Sequence, residues 1–260
     1  MVDSVSELVL RTDDSRGVTT LTLNRPEAFN ALSEDLLSQL QSALDSLAQD
    51  SNLRVLIIAG LGKAFCAGHD LREMRAHPSI EYYQKLFKQC GRMMMSIQHL
   101  KVPVIAKVQG IATAAGCQLV AQCDLAVAST DARFAVSGVN LGLFCSTPSV
   151  ALSRNLSRKA AFEMLVTGDF ISAQEAMVKG LVNRVAQPND LDATVEELVA
   201  KILSKPNAAL AMGKELFYKQ LETGMDGAYA FAANTMACNM MEDTALEGVQ
   251  AFLEKRPPNW

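Results

Sequence analysis

Three short runs of uninterrupted apolar residues constrain this chain more than any other feature: Val55-Leu56-Ile57-Ile58-Ala59, Val104-Ile105-Ala106 and Leu125-Ala126-Val127-Ala128. A strand with one wet face alternates apolar and polar residues, whereas a strand covered on both faces reads as a continuous apolar run. Helical stretches separate most of these runs, so the fold class is α/β. Glycine-bearing loops at Gly60-Leu61-Gly62, at Gly110 and at Gly138 with Gly142 punctuate the chain at broadly similar intervals. Repeated ββα turns of a spiral produce that pattern. So does a doubly wound sheet, and spacing alone leaves the two open.

Flanking elements fit the same class. Val18 to Leu23 reads as a strand, with Leu21 and Leu23 alternating with threonines, and Asn24-Arg25-Pro26 breaks it. Ser33 is placed to cap a helix whose first turn holds Glu34 and Asp35, and Leu36, Leu40, Ala43, Leu44 and Leu47 recur on one face of it. After about residue 200 the strand signals stop. The ranges 208–221 and 227–241 read as helices rich in Ala, Met and Phe with few charges, and helices this apolar are expected to pack on another subunit. At 260 residues the chain fits one large domain, here divided into a core over 1–200 and a helical region over 201–260.

Charge and cysteine content exclude several function classes. A net charge of -4 without any basic run offers no footprint for nucleic acid, so an anionic ligand must be gripped locally. The six cysteines have no CxxC spacing, and several sit inside apolar runs, which points to a reducing compartment without disulfides or a zinc site. The start, MVDSVSELVLRTDD, lacks the pattern of a secretory signal, and no window approaches roughly 18 apolar residues, so no membrane role is expected. The expected location is the cytoplasm, or the mitochondrial matrix if a transit peptide has been removed.

Two segments carry the chemistry. In Gly60-Leu61-Gly62-Lys63-Ala64-Phe65-Cys66-Ala67-Gly68-His69-Asp70-Leu71-Arg72-Glu73-Met74, a strand end passes through small residues into a charged helix start. Exposed backbone N–H groups at such a start favour a developing oxyanion. The second segment, Val108-Gln109-Gly110-Ile111-Ala112-Thr113-Ala114-Ala115-Gly116-Cys117-Gln118-Leu119, again has side chains small enough for backbone to approach a ligand before a helix. Two such donors can clamp one carbonyl oxygen. Taken singly, each loop is explained better by tight strand-to-helix packing.

Together these segments resemble the two signature stretches of the crotonase (enoyl-CoA hydratase/isomerase) superfamily. So do Leu23-Asn24-Arg25-Pro26-Glu27-Ala28-Phe29-Asn30-Ala31-Leu32, Ile171-Ser172-Ala173-Gln174-Glu175-Ala176 and Gly180-Leu181-Val182. The resemblance implies a ββα spiral core followed by a helical trimerisation region, in a homotrimer or a dimer of trimers. It implies an acyl-CoA thioester as substrate, coenzyme A being part of that substrate and no separate cofactor being needed. It further implies that the backbone N–H groups of His69 and Ala115 form an oxyanion hole for the thioester oxygen. Coenzyme A would run along Glu27, Phe29, Ala31, Ala67, Asp70 and Leu71, with Phe252 and Lys255 reaching the nucleotide from near the C-terminus or from a neighbouring subunit. Gly68, Ala114, Ser137, Leu141 and Cys145 are carried over as further substrate-binding positions.

The chain departs from its relatives where hydratases carry two glutamates: Gln118 falls at the first position and Gly138 at the second. Neither side chain exchanges a proton at neutral pH. Efficient hydration by the usual mechanism is therefore not expected, and Gly138 argues against the ordinary isomerase as well. Asp70, His69, Cys145 and Ser146 are the candidate replacements, each with a bland reading beside it: helix-end charge for Asp70, a solvent-facing or CoA-contacting ring for His69, packing for Cys145. Gly68-His69-Asp70 and Val139-Asn140-Leu141-Gly142 also resemble a decarboxylase branch of the superfamily, which needs an oxyanion hole more than a carboxylate base. The alternatives are thus an acyl-CoA decarboxylase-like enzyme and a catalytically silent acyl-CoA binding protein.

Overall fold

The structure, a computed structural model, describes residues 7–260. It opens with a hairpin of β1 (Val9–Asp13) and β2 (Val18–Leu23), followed by α1 (Glu34–Leu47). The Ser33 hydroxyl accepts from the Leu36 amide at 3.1 Å, and the face predicted from periodicity is buried. Three strand pairs come next. They are β3 (Val55–Gly60) with β4 (Ala64–Cys66), leading into α2 (Leu71–Ala76) and α3 (Ile80–His99); β5 (Val104–Val108) with β6 (Ile111–Thr113), leading into α4 (Ala115–Gln122); and β7 (Leu125–Ser129) with β8 (Arg133–Ala135). A 3-10 turn over Ser137–Leu141 then leads to α5 (Ser146–Asn155) and α6 (Arg158–Thr167). After β9 (Ile171–Ser172), α7 (Ala173–Lys179) and β10 (Arg184–Ala186), the chain ends in four helices: α8 (Leu191–Leu203), α9 (Asn207–Leu221), α10 (Met225–Met240) and α11 (Asp243–Glu254).

Sheet order decides between the two topologies that spacing left open. One sheet runs β1-β2-β3-β5-β7-β10, parallel except for the β1–β2 hairpin, and the other runs β4-β6-β8-β9. Each pair therefore gives its first strand to one sheet and its second to the other before a helix returns the chain, which is a ββα spiral. The uninterrupted apolar runs follow from this arrangement. Along β3, Leu56 and Ile58 enter the main core, while Val55 and Ile57 enter a second cluster covered by Leu191, Val195 and Val199 of α8. Val104 and Ala106 of β5 likewise face one way and Ile105 the other. Both faces are dry, so alternation disappears from the sequence.

Beyond α8 the packing changes. No residue of α9 or α10 is buried, and α11 buries Ala251 alone. What ties this region down is polar. The Lys214 ammonium donates to the carbonyls of Ile97 and Val102 and to Asp124 at 2.7 Å, and the Tyr218 hydroxyl donates to the other Asp124 oxygen at 2.7 Å. Of the six cysteines, five are buried, Cys238 is exposed, and all are free thiols. Burial pushes the Cys66, Cys90 and Cys117 thiols up to about 12, which makes them inert packing groups. Among the described residues no helix is long and apolar enough to cross a membrane.

Candidate active site

The site is built where the second strand of each pair ends. The loop after β2 is shaped by Asn30, fully buried with φ +54°, a conformation asparagine tolerates better than most residues. Its Oδ1 accepts from the Arg25 amide at 2.9 Å, and its Nδ2 donates to the Leu61 and Ala64 carbonyls at 2.9 and 2.8 Å. This clamps the loop carrying Glu27, Phe29 and Ala31 onto the turn between β3 and β4. The Ala67 amide then donates to the Phe29 carbonyl at 3.0 Å.

At His69 an isolated parallel bridge to Leu32 settles where the amide goes. The Leu32 amide donates to Gly68 O at 2.7 Å and the Asp70 amide to Leu32 O at 3.3 Å, so the His69 N–H lies outside the ladder and has no acceptor among the described residues. The second amide belongs to Ala115, first residue of α4, where the initial N–H groups have no partner within a helix. Gly68, at φ +92°, brings the two together. A Cβ there would lie 3.2 Å from Ala115 N and 2.9 Å from the Ala114 Cβ, so glycine keeps the ground beside the Ala115 amide open. Ala114 adopts φ 51° with ψ -120°, a conformation an L side chain rarely takes, immediately before that amide. The chain spends local backbone strain to present it.

The side chains at these positions are engaged or shielded. Asp70 caps α2 by accepting from the Arg72 amide at 2.9 Å and pairs with Arg25 at 2.6 Å, while Arg25 also donates to the Ala31 carbonyl at 3.2 Å. Burial pushes this carboxyl up, but the Arg25 hydrogen bond and the Arg72 and Glu73 amides prevail and hold it below the usual range. Of the two readings for Asp70, the helix-end charge is the one its contacts support, and a carboxylate so committed is a poor base. The His69 ring meets Phe87 edge to face at 5.4 Å, and neither ring nitrogen has a hydrogen-bond partner. Burial pushes its pKa down to about 4, countered in part by the nearby Leu32 backbone, so the ring is neutral at pH 7. A shielded ring differs from the solvent-facing one offered above. Ser146 is exposed and donates to the Phe144 carbonyl at 3.3 Å.

Gln118 and Gly138, the positions expected from the resemblance to matter for acid–base chemistry, lie on the neighbouring wall. Gln118 is 5% exposed, and its Oε1 is buried without a partner. Thr113 and Ser137 share a hydroxyl–hydroxyl hydrogen bond of 3.0 Å, which ties the 3-10 turn to the end of β6. Gly138 is closed in: a Cβ there would stand 2.7 Å from Cys145 Sγ and 2.7 Å from Leu143 O. The Gly138 amide donates to that sulfur at 3.3 Å. Burial pushes the Cys145 thiol up, and the Gly138 hydrogen bond counters only part of the rise. Leu71 and Leu141 expose apolar surface at 52% and 62%.

A continuous chain of contacts thus joins the residues from 27 to 145. Phe252 and Lys255 are not part of it in the single chain. Phe252 is 82% exposed on α11 and lines a groove with Gly248 and Trp260, and Lys255 ends that helix at φ 56°. Arg25 and Asn30 were not among the expected site residues, and the strained backbone of Ala114 was not foreseen. An asparagine a few residues after a strand-ending Pro is the one local signal that pointed to the Asn30 turn. Among the described residues no cluster of His, Cys, Asp and Glu is arranged to hold a metal ion.

Comparison with known proteins agrees with this geometry. The family model for enoyl-CoA hydratase/isomerase matches residues 13–260. The mitochondrial enoyl-CoA hydratase domain-containing protein 3 of Xenopus laevis is 44% identical over 244 residues, covering 94% of this chain and 83% of that protein. A crystal structure of an enoyl-CoA hydratase from Mycobacterium smegmatis superposes with a TM-score of 0.97 at 65% identity, covering 98% of this chain and 99% of that one. The crystal structure of human enoyl-CoA hydratase domain-containing protein 3 does so with a TM-score of 0.93 at 43% identity, over 97% of this chain and 100% of that one. With the ββα spiral and the paired loop amides already described, these likenesses settle the assignment: the chain belongs to the enoyl-CoA hydratase/isomerase family.

Proposed function

We propose that the chain binds an acyl-CoA thioester and that the amides of His69 and Ala115 hold its carbonyl oxygen, stabilising an enolate-like intermediate in acyl-CoA metabolism. The observation that carries this reading is the pair of free amides flanking Gly68. Preorganised N–H donors stabilise charge where it develops without any reorganisation during the reaction. Glu27, Phe29, Ala31, Ala67 and Leu71 would border the coenzyme A chain, and Asp70 would hold the loop through Arg25. In a homotrimer or dimer of trimers, residues 201–260 would pair their exposed apolar helices with another copy, and Phe252 and Lys255 would reach a nucleotide there. That division leaves residues 1–200 as the binding core.

Two-glutamate hydration is not the reaction this site supports, because Gln118 cannot take a proton and Gly138 has neither a carboxylate nor room for one. Loss of general acid–base catalysis at one centre lowers rates by about 10²–10⁴-fold. A decarboxylase-like reaction, in which CO2 leaves and the electron pair moves onto the held thioester, is the second reading. It is favoured by an amide pair that stands without a free carboxylate at Asp70. Titration calorimetry with butyryl-CoA, beside a crotonyl-CoA hydration assay, tests the proposal. Saturable butyryl-CoA binding with hydration at least about 100-fold below that of two-glutamate hydratases is expected. Absence of thioester binding, or hydration at ordinary hydratase rates, would contradict it.

A further inference from the structure

Polar groups on the acid–base wall are left incomplete in a complementary way. Cys145 Sγ accepts from the Gly138 amide, and the S–H itself has no acceptor among the described residues. Gln118 Oε1, on a side chain 95% buried, has no donor. Buried donors and acceptors without partners are rare enough in folded proteins to require a reason. Here an unfilled acceptor stands one turn after the Ala115 amide, and an unfilled donor stands beside Gly138. The β6–β8 pairing and the Thr113–Ser137 hydrogen bond hold those two positions on one wall. A ligand held by the two free amides would enter between them.

The place of the sulfur matters as much as its unused proton. Because a Cβ on residue 138 would come within 2.7 Å of Cys145 Sγ, the thiol stands where a side chain of residue 138 would emerge. Among the protic groups on this wall, one of the Thr113 and Ser137 hydroxyls donates to the other, and the amide of Gln118 does not exchange protons at neutral pH. A thiol releases its proton at far lower cost than a hydroxyl. Burial keeps Cys145 in the protonated, donating form near neutrality, and the Gly138 N–H remains in place to hold a thiolate.

Resting on the acyl-CoA reading above, we propose that Cys145 is the group that exchanges the α-proton of the bound thioester. In the forward sense the S–H bond breaks as a Cα–H bond forms from the electron pair of the enolate C=C, and the thioester C=O is restored. The sulfur is left as a thiolate facing Gly138 N–H. In reverse the thiolate removes the α-proton, and the pair moves onto the oxygen held by the His69 and Ala115 amides. No further reactant is required, and Gln118 orients the acyl group without exchanging a proton.

The test is α-hydrogen exchange of butyryl-CoA by the full chain in D2O, read by mass spectrometry, with butyryl-CoA affinity measured separately by calorimetry. Wild type is expected to incorporate deuterium at a rate that climbs only as pH rises into the alkaline range, where the thiolate forms. Cys145→Ala and the near-isosteric Cys145→Ser are expected to retain saturable butyryl-CoA binding, yet at saturating butyryl-CoA to exchange at least about 100-fold more slowly and without that climb. Gly138→Ala keeps the thiol but drives a Cβ against it, and is expected to slow exchange as well. Exchange at the wild-type rate in both cysteine variants overturns the proposal. So does butyryl-CoA binding by wild type without any exchange, which leaves the binding reading standing. Failure to bind butyryl-CoA at all removes both.

Discussion

On one wall of the candidate site, two backbone amides at His69 and Ala115 stand free beside a left-handed glycine and a strained alanine. On the neighbouring wall, the two positions that the family resemblance assigned to glutamates hold Gln118 and a glycine whose Cβ space is taken by Cys145 and Leu143. The first wall is made by chain path, so it persists through side-chain change. The second is made by side chains, so a single substitution can rewrite it. In this chain the proposed carbonyl-holding half of the site therefore depends on backbone path, and the proposed acid–base half on individual side chains.

The largest expected effect breaks the amide wall. Ala115→Pro removes one donor at the first position of α4, where proline is tolerated, and should lower the rate of α-hydrogen exchange on butyryl-CoA by about 10²–10³-fold. Circular dichroism should show the variant still folded. An unchanged rate would mean that the amide plays no part.

The next effect separates the backbone of His69 from its ring. The ring's folded pKa of about 4 lies below its ordinary 6.5, so between these values the unfolded chain binds more protons than the folded one. Stability is complete above pH 6.5 and falls as pH drops toward 4. At about 1.4 kcal/mol per pH unit the loss comes to about 3 kcal/mol. Urea denaturation at pH 7 and pH 4.5 should show most of it in wild type and a flatter response in His69→Gln.

A smaller effect probes the acid–base wall. Gly138→Glu drives its Cβ into Cys145 Sγ and Leu143 O, each 2.7 Å away, and overpacking of this kind costs about 1–3 kcal/mol. The substitution should lower the melting temperature without creating efficient crotonyl-CoA hydration, even combined with Gln118→Glu. Efficient hydration in the double variant would show that the wall yields more readily than its contacts imply. Smallest of all, Ala114→Gly relieves the backbone at φ 51° and should raise stability by up to about 1 kcal/mol in the same denaturation experiment.

Much of this architecture was legible in the residues. Continuous apolar runs at β3, β5 and β7 announce strands covered on both faces, and the spacing of Leu36, Leu40, Leu44 and Leu47 announces the buried face of α1. The choice of a spiral over a doubly wound sheet was not legible, because three-residue strands such as β4, β6 and β8 carry too few side chains to show a period. Nor was α3, whose buried Leu86, Cys90, Met93, Met94 and Ile97 mix with charged and amide residues around Gly91. At the site, the small-residue loops could be located, but what they do depends on contacts remote in sequence. Arg25 meets Asp70 across 45 positions, and that pairing turns a candidate base into a helix cap. Cys145 reaches back to Gly138 through a turn at Gly142, φ 76°, so a residue that reads as packing becomes the neighbour of the second acid–base position.

The most direct test of the account is the carbonyl stretch of butyryl-CoA carrying 13C at its thioester carbon, recorded by isotope-edited infrared spectroscopy in the complex. Two amides on one oxygen predict a band moved to lower frequency on binding, and a large part of that displacement lost in Ala115→Pro. A bound thioester whose carbonyl band matches that in water would contradict the assignment of His69 and Ala115 as the groups that hold it.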